Sequence, residues 1–580
     1  VSKLIKYLKP YWWAILLTLV FLMLEVLAGL YLPTLMATII DNGIIRGVVE
    51  NTPQTAYILQ TGVVMLGVAL MGGAASVGTG YLAPRISAGA ARDLRKDLFI
   101  KVESFSQMEF DTFSASSLIT RCTNDVTQVQ QLANMATRML FFAPIMGAGA
   151  VIMALNQSVA MSWIIVLAVI VLLGFVFAIV PTVMPRFRIM QGMIDKLNKI
   201  ARETLHGLMV IRAFGTQQHE KERFDESNKE IFDISLFVSR VMAVVFPAMS
   251  LILGGTQLLV VWVGAQHIAA ADLQIGDMMA FMQYSVSVIF AFMMLSMVII
   301  MIPRALVSAG RISEVLATEP VIQDPDKNSI KEFDTATNGV VVFDNVSFRY
   351  PKAEVDAVSN INFTASPGKM TAIIGPTGVG KSTIAHLLLR FYDVTTGSIL
   401  MDGVDVRNTT QAEWRKKIGY VPQKGQLIAG TIEYNIRYGN PQATEEEVAK
   451  AAEIAQAMPF IQENAEGMQT EIGQKGGTVS GGQRQRLSIA RALATNPQIL
   501  IFDDSFSALD YKTDAELRRA LKENVGNATV IIIAQRVGTI RNADQIIVLD
   551  EGTIVGKGTH AELLETCSAY YEIALSQDAL

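Results

Sequence analysis

The sequence predicts a multi-domain membrane protein, an all-α bundle of six transmembrane helices followed by an α/β domain. Three observations predict it. From Tyr11 to about Arg304 long apolar runs dominate, whereas beyond Ser308 the chain reads like a soluble α/β protein. The apolar content of 51% and the charged content of 17% average over these unlike halves. In the second half, a glycine-rich G-x-x-x-x-G-K-[ST] stretch follows a run of strand residues and opens an amphipathic helix.

A chain of 580 residues is long enough for more than one domain. Its net charge of -5, with no basic domain, argues against a nucleic-acid binder. Cys122 and Cys567 are too few and too far apart for a disulfide framework or a zinc site. Both fall in segments placed in the cytoplasm, where thiols stay reduced. The first apolar run, Tyr11 to Leu32, is longer than a signal-peptide core and is followed by further spans, so it reads as a retained helix.

A hydrocarbon core of about 30 Å needs roughly 20 residues of apolar helix. Six segments qualify, near 12–34, 57–83, 132–155, 158–184, 241–266 and 278–302. The third and fourth are joined by a short polar turn near Asn156-Gln157-Ser158. Two long connections, about 85–130 and 186–240, are charged and helix-patterned. The first carries Arg85, Arg92, Arg95, Lys96, Lys101 and Arg121, and the second is equally rich in Lys and Arg. The short connection near 41–56 has only Arg46, and the one near 267–277 has neither Lys nor Arg. Positive charge marks the cytoplasmic side, so both termini and both long connections belong there. Expected boundaries are 1–305 for the membrane domain, 306–338 for a linker and 339–580 for the cytoplasmic domain.

Two features inside the spans bear on cargo. Glu25 lies mid-span, where a charge is costly and suggests function. It reads either as hydrogen-bonded between helices or as a substrate contact. Met242, Met249, Met278, Met279, Met282, Met293, Met294, Met297 and Met301 crowd the last two spans. Flexible thioethers suit an adaptable apolar cavity, and equally serve ordinary packing.

The strand Met370–Ile374 leads into Gly375, Pro376, Thr377, Gly378, Val379, Gly380, Lys381 and Ser382, followed by Thr383 in the helix. Glycines let backbone N–H groups close around phosphate oxygens, and the helix N-terminus adds positive potential. Lys381 would reach the β- and γ-phosphates, and the Ser382 hydroxyl would ligate Mg²⁺. A second strand, Ile499–Phe502, delivers Asp503, a carboxylate suited to hold the same Mg²⁺. ATP with Mg²⁺ is the expected ligand, and the second half is a P-loop nucleotide-binding domain.

Further motifs carry a resemblance. Val479-Ser480-Gly481-Gly482-Gln483-Arg-Gln-Arg486 resembles the signature of ABC transporters, a short distance before Asp503. Gln423 in Val-Pro-Gln resembles the Q-loop, a further Mg²⁺ ligand, and Ser507-Ala-Leu-Asp510 resembles the D-loop. Tyr350 matches the aromatic that stacks on adenine, and Thr470-Glu-Ile-Gly473 resembles a segment found in exporters. Together with six preceding spans, the whole chain resembles an ABC exporter half-transporter. The resemblance implies a second half-transporter subunit, with each ATP held between one chain's phosphate loop and the other's signature. It also implies that membrane helices alternate between inward- and outward-facing states as the ATP-bound dimer closes and reopens. The turns near Glu109-Phe-Asp111 and Arg212-Ala-Phe214 are the candidate coupling contacts.

Two catalytic positions depart from the family. The residue after the Mg²⁺-binding Asp is normally Glu, which polarises the attacking water; here it is Asp504, one methylene shorter. Misplacing a catalytic group by about 1 Å can cost on the order of 100-fold in rate. The switch histidine is replaced by Gln535, whose amide can hydrogen-bond a γ-phosphate but can neither carry positive charge nor exchange a proton. Beside intact binding motifs, the two losses read as a degenerate site that binds ATP and hydrolyses it slowly. The pattern resembles one subunit of a heterodimeric bacterial multidrug exporter in the plasma membrane, its partner supplying the Glu and His. The cargo would be hydrophobic small molecules, with a lipid or lipid-linked flippase as an alternative. An ATP-gated channel or regulatory subunit without pumping is a rival from another class. A soluble ATPase on a membrane anchor would not need six spans.

Overall fold

The computed structural model describes residues 2–334, 338–473 and 476–579. The side chains of Lys3, Met297 and Met301 lie outside the described residues. The chain divides into two compact units, one of residues 1–103 and 115–318 and the other of residues 104–114 and 319–580.

The first unit is helical. Among the described residues, six helices are long and apolar enough to cross a membrane. They are α1 (Trp12–Thr38), α2 (Thr55–Glu103), α4 (Ala115–Gln157), α5 (Trp163–His206), α7 (Gln217–Ala269) and α8 (Ile275–Ala317). Short helices between them in sequence include α3 (Gln107–Phe113), which belongs to the second unit, and α6 (Leu208–Phe214). The 49 residues of α2, 44 of α5 and 53 of α7 make helices of roughly 65–80 Å at 1.5 Å per residue, about twice the thickness of the hydrocarbon core. The charged, helix-patterned connections are therefore continuations of the membrane helices. Residues 306–317, assigned to the linker by sequence, continue α8.

Packing on the apolar faces holds this unit together. Val26 and Leu30 of α1, Ala150 and Ala154 of α4, and Phe281 and Tyr284 of α8 share one buried core. The buried Tyr284 hydroxyl donates to the Leu30 carbonyl at 2.8 Å and shares a 2.6 Å hydrogen bond with Thr34, which satisfies a polar group in apolar surroundings. Large apolar side chains elsewhere stay exposed, among them Val63, Leu66, Val77, Leu258 and Trp262, as lipid contact requires. Glu25 is half-buried on α1, and no hydrogen bond or ion pair joins it to a described residue. An interhelical hydrogen bond within this chain is thereby ruled out among the described residues.

The second unit is built on two main sheets and a small antiparallel pair, β7 (Gly430–Thr431) with β8 (Glu471–Ile472). The strands β1 (Val341–Phe348), β2 (Val358–Ala365), β4 (Thr396–Met401) and β5 (Val404–Asp405) form an antiparallel sheet in the order β2-β1-β4-β5. The other sheet runs β12-β11-β3-β10-β9-β6, from β3 (Met370–Ile374), β6 (Ile418–Val421), β9 (Ile499–Asp503), β10 (Thr529–Ile533), β11 (Gln545–Asp550) and β12 (Thr553–Gly558). Its neighbours are parallel except for the antiparallel β12 edge. β9 is buried along its whole length, as expected of parallel strands covered on both faces. The loops at the C-terminal ends of β3, β9 and β10 are adjacent because those strands pair side by side, and ligands of open α/β sheets bind at such an edge. Cys122 and Cys567 are both free thiols.

Candidate nucleotide site

The phosphate loop leaves β3 at Gly375 and enters α9 (Lys381–Leu388). Gly378 and Gly380 adopt φ of +88° and +92°, and a Cβ on Gly380 would lie 2.6 Å from the Ala357 carbonyl oxygen. Only glycine meets both conditions there. The Lys381 ammonium folds back over the loop and donates to the carbonyls of Gly375 and Pro376, each at 2.7 Å. Burial pulls its pKa down, against the pull of Asp504 and Asp503. A cation held across the mouth of a ring of amides is poised for phosphate oxygens.

Ser382 donates to Asp503 Oδ1 at 2.9 Å, joining the start of α9 to the end of β9. Burial pushes the Asp503 carboxyl above its usual range, and the Ser382 hydrogen bond opposes the shift. A hydroxyl and a carboxylate side by side are hard oxygen donors that fit Mg²⁺, which takes one or two protein ligands beside phosphates and water. Tyr420 at the end of β6 also faces Asp503. Burial, then the Asp503 charge, pushes its hydroxyl pKa up.

The three residues expected at the reacting end meet at one atom. Asp504 Oδ2 accepts from Gln423 Nε2 at 3.1 Å and from Gln535 Nε2 at 3.0 Å. Asp504 sits at φ +47°, an uncommon left-handed conformation for a non-glycine residue. Its amide donates to the Ile533 carbonyl at 2.8 Å, which carries the β9–β10 ladder one residue beyond the sheet. Burial raises the Asp504 carboxyl pKa, and the Gln423 hydrogen bond is the largest force against it.

Tyr350 packs edge-on to Phe348 and Tyr392, with centroids 4.8 and 5.3 Å away, and shares a 3.1 Å hydrogen bond with Thr383 of α9. It stays half-exposed, which leaves ring surface for a base.

The signature residues lie elsewhere in the unit. Ser480 caps α11 (Gly481–Leu493) reciprocally: its hydroxyl accepts from Gln483 N at 3.2 Å, while its own amide donates to Gln483 Oε1 at 2.8 Å. Ser480 to Gln483 thus bond to one another and not to the phosphate loop. Ser480 and Gly481 are exposed. A Cβ on Gly481 would meet nothing within 4 Å, while one on Gly482 would lie 3.4 Å from the Ala508 carbonyl oxygen. Asp510 caps α12 (Tyr511–Asn524), accepting from Thr513 N at 3.0 Å and Thr513 Oγ1 at 2.8 Å.

Sequence reasoning missed two supports. The fully buried Gln485 of α11 accepts from Gly425 N at 2.9 Å and donates to the Pro422 carbonyl at 3.0 Å, gripping the backbone on both sides of Gln423. Helix α3 belongs to this unit: Asp111 Oδ2 accepts from the Tyr392 hydroxyl at 2.9 Å, and the buried Glu109 accepts from Val321 N at 3.0 Å. The motif around Glu109 had marked α3 as a contact, but its partners are too distant in sequence to be named.

Residues 15–302 match the family model described as ABC transporter transmembrane region, and residues 358–507 match the one described as ABC transporter. The chain is 39% identical over 576 residues to an uncharacterized ABC transporter ATP-binding protein of Mycobacterium tuberculosis, covering 99% of this chain and 97% of that protein. It is 33% identical to an ATP-dependent lipid A-core flippase of Pseudomonas fluorescens, over 85% of this chain and 80% of that protein. Among solved structures, a bacterial Atm1-family ABC exporter with ATP bound superposes with a TM-score of 0.80 at 26% identity, covering 98% of this chain and 99% of that one.

Proposed function

The chain belongs to the ABC transporter family, and from that membership we propose that it is one subunit of a heterodimeric, ATP-driven exporter of hydrophobic or amphipathic compounds, multiple drugs among them. The membrane is a bacterial plasma membrane, with both termini cytoplasmic. The observation that carries the heterodimer is the cage around Asp504. A short carboxylate held by two neutral amides stands where a longer Glu and a histidine would polarise water. Neither Gln423 nor Gln535 can take up the proton that an attacking water must lose. Asp504 alone remains as a base, drawn back by one methylene and tied at 3.0 and 3.1 Å.

In this reading the chain's own site binds Mg²⁺–ATP through Lys381, Ser382, Asp503 and Gln423, stacks adenine on Tyr350, and turns over slowly. Mg²⁺ would supply charge neutralisation between the phosphates. The signature cap, exposed at Ser480 and Gly481, presents the amides of Gly481 and Gly482 to the ATP of the partner, whose Glu and His do the faster chemistry. Closure of the ATP-loaded pair drives the membrane helices between two states, a rigid-body switch biased by a bridging ligand. Helix α3 carries that motion through Asp111 and Glu109. Helix α6 is the second contact, since its Met209, Val210 and Phe214 are exposed apolar side chains with an unmet need for burial.

The test is ATPase activity of the purified chain, alone and with the partner subunit from its own genome, each with and without Asp504→Glu plus Gln535→His. Negligible activity alone, high activity with the partner and raised turnover in the double variant are expected. Robust turnover by the chain alone overturns the heterodimer. A second reading, a lipid or lipid-linked flippase, is favoured by the 33% identity to a lipid A-core flippase over 85% of the chain. Stimulation of the pair by lipid headgroup analogues and not by apolar cations would select it.

A further inference from the structure

The segment that carries Gln535 is held before it by Ala534, whose N–H donates to the Ile373 carbonyl at 3.0 Å, and beyond it by Arg518, whose guanidinium donates to the Gly538 and Thr539 carbonyls at 2.9 and 3.3 Å. β10 ends at Ile533, and Gln535 and Arg536 are exposed before a single turn, α13 (Val537–Ile540). Arg536 offers no side-chain cap to that turn. Val537 is nonetheless fully buried, so its N–H needs a partner. That partner comes from the end of the chain. After α14 (Ser568–Ser576), Gln577 turns back: its Oε1 accepts from Val537 N at 2.8 Å, and its Nε2 donates to the Gln535 carbonyl at 2.8 Å. One side-chain amide thus reads the backbone two residues apart, as a strand neighbour would. Gln485 grips the Q-loop in the same way on both sides of Gln423. Each glutamine that donates to Asp504 therefore sits in a loop clamped by another glutamine.

We infer that Gln577 is a positioning residue of the nucleotide site, which fixes the backbone of Gln535 so that its side-chain amide faces Asp504 and the γ-phosphate. Its base is firm: α14 is anchored by the fully buried Tyr570, whose hydroxyl is 2.8 Å from His560 Nδ1. The inference rests on the reading of Gln535 as a γ-phosphate contact, and not on how fast the site hydrolyses ATP.

The test therefore follows nucleotide release from the full chain, in the assembly it forms, using labelled ATP and ADP. Losing the clamp removes about one net hydrogen bond's worth of order, so Gln577→Ala should speed ATP release about 5- to 10-fold. ADP release should be unchanged, because ADP has no γ-phosphate. Gln577→Glu keeps the acceptor for Val537 N but loses the donor, and should fall between. In a Gln535→Ala background, Gln577→Ala should add nothing. A general loosening of the fold would instead speed ATP and ADP release alike, and equally in both backgrounds. That result, or unchanged ATP release in Gln577→Ala, overturns the inference. Amide exchange gives a reading without nucleotide: Val537 should exchange several-fold faster in Gln577→Ala while the amides of β10 hold, and an unchanged Val537 overturns the inference as well. A homodimer with robust turnover would end the heterodimer proposal and leave this one standing.

Discussion

At the scale of single residues, the nucleotide site divides into what is contiguous in sequence and what is not. Lys381 sits across the loop mouth with its ammonium 2.7 Å from two loop carbonyls. Lys381→Ala removes a preorganised cation and should weaken ATP binding at this chain's own site about 10- to 100-fold, read as the Kd of labelled ATP. Lys381, Ser382 and Asp503 were legible because strand, loop and helix are continuous and the residue types admit few other uses. Asp504 and Gln535 were legible as departures from a pattern, but their meeting at one carboxylate oxygen across 31 residues was not. Tyr420, Gln485 and Gln577 gave no signal at all. A glutamine in a helix or near a chain end has many bland uses, and only the fold brings its amide to a particular backbone segment.

Elements show which local choices hold the site in place. The Trp414 side chain of α10 (Gln411–Lys416) is completely buried, and its Nε1 donates to the Leu388 carbonyl at the end of α9 at 2.6 Å. Trp414→Ala should destabilise the ATP-binding unit by about 3–5 kcal/mol, seen as a lowered denaturant midpoint by tryptophan-independent circular dichroism. The proposed role of helix α3 is in coupling. Asp111→Ala removes the hydrogen bond to Tyr392 and should lower transport about tenfold relative to ATP turnover, measured as cargo moved per phosphate released in sealed vesicles. Equal losses in both would show that α3 serves folding and not coupling. The six spans were readable from apolar length alone. Their ends were not, because helix continues wherever backbone hydrogen bonds do, beyond the lipid. That is why α8 runs to Ala317 and α5 to His206.

For the whole molecule, the consequential fact is that the Ser480 and Gln483 side chains of the signature cap bond to each other's backbone among the described residues, while Ser480 and Gly481 face solvent. Gly481 has open space around its missing side chain, so Gly481→Asp leaves this chain's fold alone while placing a negative charge where a partner's phosphate would rest. In a heterodimer whose fast site uses this cap, turnover of the pair should fall about 100-fold although this chain's own loop is untouched. A loss of less than twofold would mean that the fast site does not use it.

Helix α3 also sets a schedule. Its acceptor Asp111 precedes Tyr392 by 281 residues, and both belong to one compact unit. At ribosomal speeds of about 5–20 residues per second, the helix is made roughly 15–55 seconds before its partner. Until the core around Phe343, Phe363 and Trp414 has been made, Met108, which packs against it, lacks its native contacts. Residues 104–114 therefore leave the ribosome well ahead of every packing partner they have in the ATP-binding unit.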